Sequence, residues 1–477
     1  MNGDLIGCGA ELSRSARHPY LGRRDVTPEG TEARILASLN ADRGRVGEFM
    51  EVDYYFEVSN SEEAMSGLEN AARMVLEHGT LKSWRHEGGS EEKPAGYDGF
   101  MSWVTGIRLL GYNRREEIES GIVTVAYPIA FFDKSEAFPF AQLMMAAASE
   151  PYSAFYFYKG AKVIDIRLPK SLIGKFPPPV WNNRRVLDYL RLSGDEPIIG
   201  TIVKPKTGLT PEIFAQRVTE AAQAGARFTK ADENMHLTLE EIPIYVSAVV
   251  KALTESGFDL GRADSAPHGV RFLFAPHITG NPDEMMARAE AAVNAGANAL
   301  MFSPYYGGGF ALMREISDRF DVPVYAHTAG MNVYTGSLTW GIDPSVMYRF
   351  AAYYGAAFMQ LTAINGYLKP DDTEKKHILD TMGRDGLLGP DNMTLVIAGG
   401  LGAGNIGENM KVLGGKNRMF LAGTSVYSHP DGPSGGVKSI LLAYQAYIRE
   451  GLTSQEELLA YADKMGAEGQ PLLRALR

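Results

Sequence analysis

Ile198-Ile199-Gly200-Thr201-Ile202-Val203-Lys204 is the first of eight short runs of the same character; the others are Arg227–Asp232, Val270–Pro276, Ala299–Ser303, Pro323–His327, Phe358–Thr362, Leu395–Gly399 and Met419–Gly423. Each is continuously apolar rather than alternating, as the strands of a parallel sheet covered on both faces are. Longer helical segments separate them, among them Pro211–Ala224, Pro282–Ala295, Phe310–Phe320 and Pro344–Tyr354. Eight β/α units over about 250 residues predict a (β/α)8 barrel, placed at 195–477 with helices at its C-terminal end.

Upstream the pattern changes. A strand is predicted from Glu51 (Val52, Tyr54, Phe56, Val58), then a helix over 61–78 with Ser61 as N-cap. A loop rich in Gly, Glu and Pro follows over 85–97, then a strand over Gly121–Phe132, a helix over Ala137–Ser149, and strands over Ser153–Tyr158 and Lys162–Leu168. This alternation reads as an N-terminal α+β (ferredoxin-like) domain at 49–180. An irregular polar arm, 1–48, precedes it, and a linker at Pro177, Pro178 and Pro179 closes it. The whole is an α/β chain.

Composition narrows the function. Of 477 residues, 45% are hydrophobic and 22% charged, ordinary for a globular protein. Lys+Arg total 47 against Asp+Glu 57, so the formal net charge is −10 and a global basic footprint for nucleic acid is absent. A single cysteine, Cys8, excludes an intramolecular disulfide framework and favours a cytoplasmic setting. The longest near-apolar run, Ala137 to Ala148, falls short of the ~20 residues of a membrane span. Met1-Asn2-Gly3-Asp4 lacks the basic start of a signal peptide.

Barrel chemistry lies at the C-terminal ends of the strands, and the polar residues of the eight runs concentrate there. Lys230 and Asp232 are two apart on one strand and face the same side, with Glu233 where the strand ends. Two carboxylates supply hard oxygen ligands for Mg2+. The lysine beside them reads either as an ion-pair partner or as an amine that adds CO2 and becomes a carbamate ligand; a plain salt-bridge cluster at the rim is the competing reading. Lys204 and Lys206 are same-face neighbours whose charges would depress one another's pKa, which suits a general base acting alpha to a carbonyl; the alternative is two solvated lysines. Gly399, Gly400, Gly402, Gly404 and Gly407 follow strand seven, and Gly423, Thr424 and Ser425 follow strand eight. Gly402, Gly404 and Gly407 fit a dinucleotide spacing, but no acid ends strand eight to hold a ribose hydroxyl. A phosphate site built from backbone N–H groups is the better reading, a tight turn the alternative. His327 ends strand five at the same mouth, His277 ends strand three, and His429 is read as ordering its own loop. Among the motifs, there is no Cys-x-x-Cys, no Gly-x-Ser-x-Gly and no P-loop.

Two segments carry a family resemblance. Gly200-Thr201-Ile202-Val203-Lys204-Pro205-Lys206-Thr207-Gly208-Leu209-Thr210 and Phe228-Thr229-Lys230-Ala231-Asp232-Glu233-Asn234 resemble the signature segments of the RuBisCO large-chain superfamily. The resemblance covers the barrel from about 197 to 445, and 49–170 looks like the family's N-terminal domain. It implies Mg2+ held by a CO2-derived carbamate on Lys230 together with Asp232 and Glu233. It makes Lys204 the proton-abstracting lysine, with Lys206 beside it and His327 as the strand-five histidine. Gly399, Gly400, Gly423 and Thr424 fall to the loops that hold one phosphate. Glu77-His78-Gly79-Thr80 and Trp84 resemble the segment that the family donates to a partner's active site, implying a homodimer or a dimer-based oligomer.

The departures set the expected activity. Thr328 stands where carboxylases carry an arginine, Gln360 at the strand-six histidine, and Ala398 at a serine, which dismantles the second phosphate site. Alignment through Asn365-Gly366-Tyr367-Leu368 puts Tyr367 where the CO2-holding lysine belongs, with Lys369 two residues on. Without that lysine, carboxylation loses its electrostatic stabiliser. The chain therefore resembles a RuBisCO-like protein (form IV). What that implies is a Mg2+-dependent enzyme forming a metal-stabilised enolate from a sugar-derived monophosphate, of isomerase (enolase) or decarboxylase type. A true ribulose-bisphosphate carboxylase and a non-catalytic barrel binding a phosphorylated ligand are the alternatives.

Overall fold

The computed structural model describes residues 20, 31–40, 47–59, 67–79, 92, 95–132, 140–148, 152, 155–176, 178–193, 196–265, 268–366, 368 and 370–477. Ser61 and the start of its predicted helix, Cys8, Thr80, Trp84, Pro177, Tyr367 and Lys369 lie outside them. The chain divides into two units, Met1–Leu172 with Tyr334–Asp343, and Ile173–Val333 with Pro344–Arg477.

In the first unit, Phe49–Ser59 is the central strand, paired antiparallel with Ile118–Pro128 on one side and Tyr158–Arg167 on the other. Trp103–Asn113 extends the sheet beyond Ile118–Pro128, and Trp340–Ile342 adds a parallel edge strand beside Tyr158–Arg167. Helices Gly67–Gly79 and Phe140–Ala147 join the first strand to the second and the third to the fourth, the β-α-β-β-α-β connectivity of a ferredoxin-like domain. Three differences from the sequence reading stand out. Trp103–Asn113 was not anticipated, because register shifts at Val104/Gly106 and Leu109/Gly111 break its alternation. Residues 155–157 bend and turn, so the last strand starts only at Tyr158. Helix Thr31–Leu39 lies within the stretch read as an irregular arm.

In the second unit eight parallel strands follow in ring order: Leu300–Phe302, Val324–Ala326, Phe358–Thr362, Thr394–Ala398, Arg418–Ala422, Ile198–Ile202, Phe228–Lys230 and Leu273–Ala275. The ring closes through the bridge between His277 and Met301, where Met301 N–H donates to Pro276 O at 3.0 Å and Ile278 N–H to Met301 O at 2.9 Å. Every predicted barrel strand is present. The helices between them start where the sequence signals a start: Thr210 caps Pro211–Gln223 with proline at its first turn, and Asp371 forms a capping box on Asp372–Arg384. Large side chains fill the interior, with the Phe228 ring 6.0 Å from Tyr325 and 5.3 Å from Phe358. Helix Asn183–Leu190 presents Val186, Leu187, Tyr189 and Leu190 to the same core. No described helix is long and apolar enough to cross a membrane.

Candidate functional site

The first two barrel strands deliver their terminal residues to one mouth. Thr201 and Thr229 hydroxyls bond at 2.8 Å in the interior, and Val203 N–H donates to Lys230 O at 3.3 Å, which fixes the strand ends against each other. Beyond that point Lys204 and Asp232 form an ion pair between Nζ and Oδ2. The lysine's partner is therefore a carboxylate, while Lys206 lies exposed at the rim. Asp232 Oδ1 also accepts from Asn234 N–H at 3.0 Å and from its Nδ2 at 3.2 Å. Burial pushes the Asp232 carboxyl up, but the Lys204 bond, the Asn234 N–H and the charges of Lys204 and Lys230 outweigh it and hold the group below its ordinary range.

Lys230 is wholly buried beneath this mouth. Its Nζ lies 3.8 Å from Glu233 Oε2, donates to Ala231 O at 3.2 Å and sits 5.6 Å from the centre of the Tyr325 ring. Burial lowers its pKa to about 8; Glu233 and Asp232 oppose that shift and Lys204 adds to it. The same Glu233 oxygen is 3.4 Å from His327 Nε2. His327 Nδ1 accepts the Ala329 N–H at 3.0 Å, so the ring proton sits on Nε2, facing Glu233. Burial, then the charge of Lys230, keeps this imidazole well below its ordinary pKa and neutral.

A cavity of about 870 Å³ opens over these groups, lined by Lys204, Lys206, Asp232, Glu233, His327, Gly399, Gly400, Gly423 and Thr424, with Gln360, Leu368 and Asn405 among its other walls. Gly402, Gly404 and Ser425 also reach its surface, whereas Gly407 and His277 are not among its walls and Lys230 is buried below it. Gly399 and Gly400 have φ of 76° and 82°, and a Cβ on Gly399 would come within 2.8 Å of Leu368. A Cβ on Gly423 would lie 3.2 Å from Lys204 Cε. These glycines let bare backbone approach whatever fills the cavity. Asn405 braces their loop: its Nδ2 donates to Gly400 O at 2.9 Å and its Oδ1 accepts from Gly402 N–H at 2.9 Å. Sequence reasoning passed over Asn405, which carried no motif, and Tyr325, whose ring in an apolar strand looked like core.

Two other histidines have different duties. His277 Nδ1–H donates to Met235 O at 3.1 Å. His429 accepts from Asp431 N–H at 3.0 Å and donates through Nε2 to Pro471 O at 2.9 Å, which orders its loop as expected.

Among the described residues no three His, Cys, Asp or Glu side chains converge to hold a metal. Asp232 and Glu233 supply two carboxylates, the hard donors that Mg2+ takes. A third anionic oxygen would have to come from Lys230, whose buried amine, with its lowered pKa, has the neutral form that adds CO2. The residues present thus fit a carbamate-assisted Mg2+ site.

Residues 182–476 match the family model described as the ribulose bisphosphate carboxylase large chain, catalytic domain. A ribulose bisphosphate carboxylase of Methanocaldococcus jannaschii is 25% identical over 71% of this chain and 79% of its own. A 3-oxo-isoapionate-4-phosphate decarboxylase of Rhizobium rhizogenes is 29% identical over 61% of this chain and 68% of its own. The crystal structure of the octameric ribulose-1,5-bisphosphate carboxylase/oxygenase from Pyrococcus horikoshii superposes with a TM-score of 0.74 at 23% identity, covering 92% of this chain and 96% of that one. Proteins described as ribulose bisphosphate carboxylase-like or rubisco-like are also among the matches.

Proposed function

We propose, for a chain that belongs to the ribulose bisphosphate carboxylase large-chain family, an enzyme that removes a proton, or releases a carboxylate, alpha to a carbonyl of a sugar-derived monophosphate, and that does not fix CO2. The observation that carries this reading is the convergence of Lys204, Asp232, Glu233 and His327 in one cavity whose facing wall is glycine backbone.

Lys204 Nζ, once it has released its own proton to solvent and left the Asp232 carboxylate, is the group that takes the α-proton; it reaches the cavity from the strand-one end. His327 presents Nε2–H, with Nδ1 locked by Ala329, and so can donate to an oxygen of the reacting carbon skeleton. Gly399, Gly400, Gly423 and Thr424 cradle the phosphoryl group, and Lys206 adds positive charge at the rim. Lys230 as its carbamate, with Asp232 and Glu233, would hold Mg2+; the cation supplies positive charge against the oxygen on which negative charge develops.

One phosphate rather than two is what the family resemblance implies, since Thr328, Gln360 and Ala398 stand where carboxylases carry residues of a second phosphate site. The relative named 3-oxo-isoapionate-4-phosphate decarboxylase likewise has a single phosphate in its substrate's name. A dimer-based oligomer in the cytoplasm belongs to the same reading, supported by the octameric Pyrococcus relative and by the single cysteine.

The test is proton exchange. With Mg2+ and bicarbonate present, the chain should catalyse solvent-deuterium exchange alpha to the carbonyl in at least one of a panel of sugar monophosphates. Lys204→Ala should lower that exchange by at least about 10²-fold while leaving Mg2+ binding in place. Undiminished exchange in the variant removes Lys204 from the role.

A further inference from the structure

We infer that Gln360 binds substrate: its carboxamide NH2, aimed into the cavity by Tyr325, donates to an uncharged oxygen of the sugar skeleton, a hydroxyl or a carbonyl, rather than to the phosphoryl group. The inference rests on the monophosphate reading above and adds a residue to it.

Gln360 lies in the sixth barrel strand and lines the same cavity as Lys204 and His327. Both ends of the residue are pinned by phenols. Tyr348 Oη donates to its main-chain oxygen. Tyr325 Oη lies 3.0 Å from its Oε1. Which way the amide points follows from Tyr325. That ring is wholly buried, and its hydroxyl has no other recorded acceptor among the described residues, so its proton must go to Gln360 Oε1. The hydroxyl carries its proton at neutral pH, as a phenol of ordinary pKa, ~10, does. With Oε1 committed, the NH2 is what remains for the cavity, and no described residue is recorded accepting from it.

The chemistry of the acceptor follows from charge. A phosphate dianion beside Gln360 would need a cation close by, yet the side chain that meets the carboxamide is the uncharged Tyr325 phenol. An amide donor is matched by a hydroxyl or carbonyl oxygen. Tyr325 is here a positioning residue, and Gln360 the group in contact.

Calorimetry on the full chain with two probes, inorganic phosphate and D-ribulose 5-phosphate, tests this. Gln360→Met keeps the length and removes the donor. It should weaken ribulose 5-phosphate about five- to tenfold, the effect of one lost hydrogen bond, and leave inorganic phosphate within about twofold. Tyr325→Phe should produce a smaller loss with the same split. Ribulose 5-phosphate affinity unchanged in Gln360→Met overturns the assignment, and so does a parallel loss of both probes, which would mark a structural role. Failure of phosphate alone to bind the parent chain would count against the glycine cradle, while a selective loss of ribulose 5-phosphate in Gln360→Met would still sustain Gln360. If the parent chain binds neither probe, both readings fall.

Discussion

His277 shows what the barrel mouth costs at the level of one side chain. Burial pushes its imidazole down to about 4, the Met235 carbonyl opposing. An unfolded histidine titrates near 6.5, so the unfolded chain takes up the proton first as pH falls. The stabilisation is therefore whole above about pH 6.5 and lost progressively down to about pH 4, about 2–3 kcal/mol between pH 7 and 4.5. His277→Asn should flatten the fall in urea midpoint over that interval by a corresponding amount, and identical slopes for the two proteins would refute the account. At this scale the sequence was informative where residue type names the chemistry. Lys204, Asp232 and Glu233 could be picked out by their place at strand ends, and the structure brings them to one cavity. Pairing was not legible. That Lys204 meets Asp232 rather than sharing charge with Lys206 depends on how two strands 28 residues apart are staggered, and nothing in spacing along one strand records it.

Elements account for what the loops can do. The exit of strand six is held from below: Asn409 Oδ1 accepts from Ile364 N–H at 2.7 Å, and buried Lys375 donates to Ala363 O at 2.6 Å. The loop after strand seven is held by the two bonds of Asn405, which clamp Gly400 and Gly402 in the conformation that exposes backbone to the cavity. Asn405→Ala removes both clamps and leaves the glycines free to wander. Inorganic phosphate should then bind about five- to tenfold more weakly by calorimetry, with a melting temperature lowered by only a few degrees; phosphate affinity equal to the parent's would show that the loop is fixed without Asn405. The eight barrel strands could be read from the chain because a buried parallel strand needs an unbroken apolar run and a βα unit repeats its signal. Trp103–Asn113 could not, since two register shifts turn its side chains out of phase.

For the barrel as a whole, polarity is separated along the axis. One set of side chains, with Asn183–Leu190 packed against it, forms a buried apolar cluster, and the ionisable groups gather where the strands end. Lys230 breaks that division. It is an amine with no solvent exposure whose one ionic partner among the described residues, Glu233, is at 3.8 Å. A buried charge so weakly paired is destabilising in itself, so removing it should not harm the fold: Lys230→Met should melt no lower than the parent in the absence of metal. Conversion of the amine to a carbamate, with Mg2+ bound beside it, would turn the same position into a source of stability, because a ligand that binds only the folded state adds RT ln(1 + [L]/Kd). At millimolar Mg2+, added bicarbonate should therefore raise the melting temperature of the parent chain by a few degrees, chelation should reverse the rise, and Lys230→Met should show no bicarbonate response. A response of equal size in the variant would place the CO2-dependent effect somewhere other than Lys230.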